Sequence, residues 1–318
     1  MTKYGLVVPT YQPILDAGLT APELVARAVE AERIGLDSVW VGDTLARAPI
    51  DALTILGAFA ARTSRITLGT AALLPALRNP VLTANQLLSI DLLSSGRLTV
   101  AVGAGFAGRS EPEFAIAGVP WARRRARLDD IVALWRHVWS GGDGSFHGEV
   151  LHYDALPTFP APARPGGPPV WLAAFTPGAL ERVGRLYDGW LPYPPNPADY
   201  ASGLATIRAT ASRPVTPALF ATVLVEDDTA RGTALLEEYC QRNYGAPASY
   251  VQGIQMQVTG SAAEVAEQLR AYGDAEHVLV RIASTDPATF DEQLPRLAEV
   301  ASLLREPQPS KTRQFATP

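Results

Sequence analysis

The chain has 318 residues, 47% hydrophobic and 19% charged, enough to bury a large core, and 27 basic against 32 acidic residues leave a net charge of −5. That balance, without a basic stripe, excludes nucleic acid as a partner; the single cysteine, Cys240, excludes an intramolecular disulfide and a multi-cysteine site, and no metal is expected. Neither a basic, apolar leader nor an 18-residue apolar run occurs, so a soluble cytoplasmic protein that leaves membranes alone is expected.

The first apolar run is Tyr4 to Pro9, followed by a helix from Thr20 to Ile34 with Thr20, Pro22 and Glu23 at its start and Gly35 at its end. Asp37 to Val41 is the next strand, Ile50 to Arg62 a helix, and Ile66 to Gly69 a third strand. A helix from about Asn79 to Leu93 leads to a fourth strand, Leu98 to Val102, which ends in Gly103-Ala104-Gly105. Arg109 to Pro120 reads as polar loop or short helix, and Trp121 to Trp139 as a strong helix with Leu128, Ile131, Leu134, Trp135 and Val138 on one face. Ser140 to Pro169, rich in Gly and Pro, breaks the rhythm as a long irregular insertion after the fourth helix.

Val170 to Ala173 resumes as a strand, then come a helix from Pro177 to Leu186, a short strand from Asp188 to Leu191 and a proline cluster from Pro192 to Pro197. A helix from Pro197 to Ala211, a strand from Pro217 to Val225 and a helix from Thr229 to Tyr239 follow, with Gly245 to Gly253 as a variable loop. Thr259 to Tyr272 is a helix with a Ser261/Glu264 capping box; His277 to Ile282 and Pro287 to Leu304 are the last strand and helix. The tail from Glu306 is polar, proline-bearing and expected to be disordered.

Eight apolar runs, each with a helix, predict a single (β/α)8 TIM-barrel domain over residues 1 to 305. The competing fold, an open doubly wound sheet, lacks its G-x-G-x-x-G after the first strand. In a barrel the chemistry lies on the loops at the carboxyl ends of the strands, here Thr10 to Pro13, Asp43 to Arg47, Thr70 to Pro75, Gly103 to Arg109, Ala174 to Gly178, Pro192 to Asn196, Gln255 to Gln257 and Ala283 to Asp286. Ala174-Phe175-Thr176 with Pro177 and Gly178 opening a helix is an adequate anion site as well as an ordinary cap.

Five pieces in order, AERIGLDSVWVGDTL, TSRITLGTAALLPALRNPVLTANQLLSIDLLSSGRLTVAVGAGF, GVPWARRRARLDD, PPVWLAAFTPGALERVGRLYDGW and TGSAAEVAEQLRAY, make the chain resemble the bacterial-luciferase-like flavin-dependent monooxygenase superfamily, with its deazaflavin-dependent oxidoreductase relatives. The resemblance spans Tyr4 to about Leu304 and implies a barrel with an insertion, a flavin or deazaflavin cofactor and a homodimer. It implies a cis peptide between Ala71 and Ala72 against the ring, with Gly103 and Ala104 alongside, and a phosphate held by Ala174, Phe175, Thr176 and Gly178 with Arg124 or Arg125. Members often carry an arginine where Ala104 stands, for which Arg109 is the candidate replacement, and a histidine after the acidic residue, where this chain has Asp43-Thr44. Asp43 then orients a water or substrate hydroxyl and Thr44 lines the site.

Three readings stay open. The first is a monooxygenase using reduced FMN and O2 on a small organic substrate, alkanal monooxygenase-like, fed by a separate flavin reductase. The second is a deazaflavin-dependent oxidoreductase moving a hydride, and the third a flavin-binding protein without turnover. Two lysines among 27 basic residues, and Thr44 in place of histidine, favour FMN over the longer anionic deazaflavin. Tyr11, Gln12, Phe106, Tyr193 and Gln255 are the substrate-facing candidates, and the Ser140 to Pro169 insertion the candidate lid.

Overall fold

The computed structural model describes residues 2–45 and 50–306, apart from the side chain of Gln12. Its strands are β1 (Lys3–Val8), β2 (Ser38–Val41), β3 (Thr67–Leu73), β4 (Leu98–Val102), β5 (Gly144–His147), β6 (His152–Leu156), β7 (Val170–Leu172), β8 (Gly189–Trp190), β9 (Thr216–Val225), β10 (Gln257–Gly260) and β11 (His277–Ile282). The eight apolar runs are the eight parallel strands β1, β2, β3, β4, β7, β8, β9 and β11, which close on themselves through the β8–β9 and β11–β1 pairings. The fold is a (β/α)8 barrel. Parallel strands covered on both faces need continuous apolar sequence, which is why these runs were readable.

The helices are α1 (Gln12–Asp16), α2 (Ala21–Arg33), α3 (Ala52–Arg62), α4 (Pro80–Leu93), α5 (Glu111–Ile116), α6 (Arg124–Trp139), α7 (Pro177–Leu186), α8 (Pro197–Thr210), α9 (Thr229–Tyr244), α10 (Ala248–Gln252), α11 (Ala262–Arg270) and α12 (Pro287–Arg305). Their apolar faces bury Leu24, Leu56, Phe59, Leu87, Ile131 and Val265 against the outward side chains Leu6, Val39, Leu68 and Val100. Trp135 and Trp139 stack at 5.6 Å and donate to the Pro80 and Ala84 carbonyls, locking α6 onto α4. At α11 the expected capping box forms, with Glu264 accepting from Ser261 N at 2.8 Å.

The two excursions from the repeat lie differently from the sequence-based expectation. Residues 140–169 connect a helix to the following strand, so they leave from the amino rim, and 144–156 form an antiparallel hairpin, β5–β6. The hairpin lies along α6: Asp130 accepts from Glu149, Val150 and Leu151 N–H, and the return strap ties Ala163 and Arg164 to Asp91 under the barrel. It is not placed as a lid over the mouth. Residues 226–260 are the excursion on the carboxyl rim: α9, α10 and then β10, which extends the sheet by pairing with the far half of β9. Gly245 to Gly253 therefore contains a helical turn, and the helix expected from Thr259 starts at Ala262. Among the described residues no helix is long and apolar enough to cross a membrane. Apart from Glu306, the expected disordered tail lies outside the described residues, as does Arg47.

Inside the barrel the amino end is sealed. Trp40 and Trp171 lie 5.3 Å apart, with His277 edge-on to both, and Ser38 Oγ joins the Trp40 indole N–H to His277 Nε2 at 2.7 Å each. Burial lowers the His277 pKa from 6.5 to about 4, so the native state keeps it neutral where the unfolded chain protonates it. Stability is therefore expected to fall as pH drops through the window from 6.5 to about 4, by up to about 3 kcal/mol, and to gain nothing from this group above it. Thermal melts of wild type and His277→Gln across that window check it; an equally steep loss in the variant would remove His277 as the cause.

Candidate active site at the carboxyl rim

Above the tryptophan floor, the lumen narrows to small side chains. Val7, Ala101, Leu191, Ala218 and Leu279 share one buried cluster with Trp40 and Trp171, and the half-buried Ala71, Ala72, Ala173 and Phe220 pack against it. The Ala71–Ala72 peptide is cis, at the bond the family resemblance implied, within the stretch where the β3–β4 register shifts. Gly103 donates its N–H to the Leu73 carbonyl at 2.8 Å, and a side chain there would sit 3.7 Å from Ala72 Cβ. Ala71, Ala72 and Gly103 are thus brought together, with half-buried Ala104 next along the chain. On the β3 and β4 side the rim is main chain and methyl groups, while Phe220 and Arg281 stand on β9 and β11.

Asp43 and Thr44 are committed elsewhere. Asp43 accepts from Arg78 Nη2 at 2.7 Å and from Leu74 N at 3.0 Å, and its side chain is 6% exposed. Thr44 donates to Glu113 Oε2 at 2.9 Å, and the same carboxylate takes the Leu45 N–H. Asp43 braces the segment just past the cis peptide. The sequence reading missed both partners, because a pair 35 or 69 residues apart leaves no local signal. For the flavin-type coenzyme that the resemblance implies, Asp43→Asn, which keeps an acceptor for Leu74, is expected to hold affinity within about threefold, and Asp43→Ala to lose about tenfold. Fluorescence titration measures both; equal losses confined to kcat would make the charge itself catalytic.

The helix N-terminus at α7 is open. Thr176, Pro177 and Gly178 are exposed, Thr176 makes no side-chain capping bond, and Phe175 stacks parallel to Trp190 at 6.2 Å beside Ala174, whose carbonyl takes the Trp190 indole N–H. Of the two arginines assigned to a phosphate, Arg124 lies 3.6 Å over the Trp121 ring and donates to its carbonyl, while Arg125 is exposed. Arg182 of α7 reaches the Arg125 carbonyl at 3.4 Å, so the starts of α6 and α7 stand side by side on the rim.

A mixed aromatic and polar wall rises from the loops after β1, β4, β8 and β11 and the segment before β10. Phe106 and Tyr193 face each other at 6.1 Å, Tyr11 donates to the Ser284 carbonyl at 2.7 Å, and Gln255 is buried with its carbonyl oxygen 3.2 Å from Arg281 Nη2. The Gln12 side chain lies outside what is described. Burial pushes the Tyr193 phenol up to about 12, so it stays protonated. Arg281 and Tyr244 were not anticipated, although in β11 a period of two from His277 and Leu279 turns Arg281 inward. Among the described residues no cluster of three or more His, Cys, Asp or Glu could hold a metal.

Comparison with known proteins adds three findings. The family described as luciferase-like monooxygenase matches residues 2–278. An F420-dependent glucose-6-phosphate dehydrogenase from Amycolatopsis mediterranei is 36% identical over 180 residues, 53% of this chain and 52% of the relative; the chain spans about half the length of the curated relatives it matches. Among solved structures, the monooxygenase RslO1 from Streptomyces bottropensis superposes with a TM-score of 0.79 at 21% identity, over 95% of this chain and 99% of that one. An F420-dependent secondary alcohol dehydrogenase does so at 0.78 and 18%, over 96% and 99%. At such identities the structures speak for the fold alone.

Proposed function

Because the chain belongs to the luciferase-like monooxygenase family, we propose that it is an oxidoreductase using the deazaflavin coenzyme F420 to exchange a hydride with a small organic substrate at the barrel mouth. The observation that supports this reading is the wall of small residues, Ala71, Ala72, Gly103 and Ala173, packed near Trp40 and Trp171, against which a flat ring would lie. The relatives named as F420-dependent, at 33% to 36% identity, weigh the choice of ring toward the deazaflavin and against the FMN preference drawn from lysine count. Arginine serves an anionic tail as well as lysine does, so the count was a weak guide.

The residues divide the work. The α7 N-terminus at Thr176 and Gly178 would take the coenzyme's phosphate on main-chain N–H groups, with Arg124 and Arg125 on the neighbouring helix start. The coenzyme, when bound, supplies hydride exchange at its ring. The Tyr193 hydroxyl, which bonds none of the described residues, would hold its proton toward a substrate oxygen, and the tryptophan floor keeps water from entering below.

Titrating the chain with F420 and with FMN, oxidised and reduced, tests the reading. Submicromolar F420 binding with weaker FMN is expected. Tighter binding of reduced FMN with O2-dependent substrate oxidation would replace it by the monooxygenase reading, and binding of neither would leave a protein without this chemistry.

A further inference from the structure

Arg281 is a cation on the inward face of β11 that no carboxylate pairs with among the described residues. Its Nε lies 3.2 Å and its Nη2 2.8 Å from Thr222 Oγ1, and Nη2 also meets Tyr244 Oη and Gln255 Oε1. The guanidinium lies 5.1 Å from the Phe220 ring centre and 5.7 Å from those of Tyr239 and Tyr244. These partners are a threonine, an amide and aromatic rings, and among the described residues no carboxylate pairs with Arg281. A charge drawn out of water in this way is costly unless an opposite charge joins it. Nη1 bonds none of the described residues, and Arg281 is only partly buried.

The surrounding charges set how much negative charge fits. Arg242 nearby is already engaged by Glu238 at 3.2 Å and Thr285 at 2.9 Å. Arg109, from the β4 loop, lies 5.9 Å from the Tyr244 ring centre and is itself exposed. One uncompensated inward guanidinium balances one negative charge, and a dianion would remain half unneutralised among phenols.

We propose that Arg281 is the specificity-determining residue for an organic monoanion, a substrate carrying a carboxylate that docks on Nη1 beneath the aromatic wall of Phe220, Tyr193 and Phe106. This deepens the oxidoreductase reading and rests on it only for what happens to the substrate after docking. Arg281, on β11, stands three strands round the ring from the Ala71–Ala72 bend on β3, so an acid docked on it would face the small-residue wall from the side.

Calorimetric titration of the full chain with benzoate, with its neutral counterpart benzyl alcohol and with inorganic phosphate tests this in wild type, Arg281→Gln and Arg281→Lys. Wild type is expected to prefer benzoate over the alcohol by about tenfold or more, Arg281→Gln to erase the preference, and Arg281→Lys to keep part of it. F420 affinity is expected to stay within about twofold in both variants. A wild-type chain without preference for benzoate would overturn the proposal even if neither variant folds, and so would a preference that survives Arg281→Gln. Arg281-dependent phosphate binding tighter than benzoate would overturn the charge class, and a tenfold or larger loss of F420 in Arg281→Gln would reassign the cation to the coenzyme's tail. Failure of F420 and FMN to bind wild type would sink the oxidoreductase reading alone, since the benzoate arm needs no coenzyme.

Discussion

Gly103→Val is expected to weaken coenzyme binding by about a hundredfold or more while leaving the barrel folded. The position has ordinary backbone geometry, and a Cβ would rest 3.7 Å from Ala72 Cβ and from Leu74 Cδ2, which is normal contact. The two further methyls would stand beside the Ala71–Ala72 bend, where the proposed ring would lie. Titration with F420 and FMN, beside a thermal melt, reads the two effects apart. Unchanged affinity in a folded variant would mean that no ring lies against this wall, and the proposed function would lose its main support.

The second large effect is on stability. At Gly69 a Cβ would lie 2.1 and 2.2 Å from Trp40 Cε3 and Cζ3, far inside contact distance, and Trp40 cannot yield because Trp171 and His277 hold its other faces. Gly69→Ala is therefore expected to cost about 3 kcal/mol or more, a substantial share of a domain's total stability. The same change in a Trp40→Phe background, where the outer ring is gone, is expected to cost less than half as much. Denaturant unfolding of the four chains gives the coupling directly; equal penalties in both backgrounds would show that the clash is relieved elsewhere.

The barrel was legible because its strands are buried on both faces and read as unbroken apolar runs, whereas Ala71 to Leu73, also part of β3, carry no β-branched signal and were read as loop. The break at Ser140 was equally plain, but which rim it serves follows from connectivity: a helix-to-strand link belongs at the amino end, away from the chemistry. The excursion from residue 226 to 260 went unrecognised because α9 has the periodicity of any returning helix, and periodicity does not say what a helix packs on. Asp43 was found and its partner was not; Arg78 binds it from beyond a strand and a turn. The arginine cluster at 123–127 drew attention as a row of charges, while Arg281, alone in HVLVRI, was absorbed into an apolar strand although its register pointed it inward.

The tryptophan pair closing the amino end has a kinetic corollary. A vessel with one opening admits and discharges every ligand through the same neck, so whichever molecule lies deeper must enter first and depart last. If the acid on Arg281 sits below the coenzyme's tail, turnover has a compulsory order, and a dead-end analogue of the outer ligand traps the inner one instead of merely competing with it.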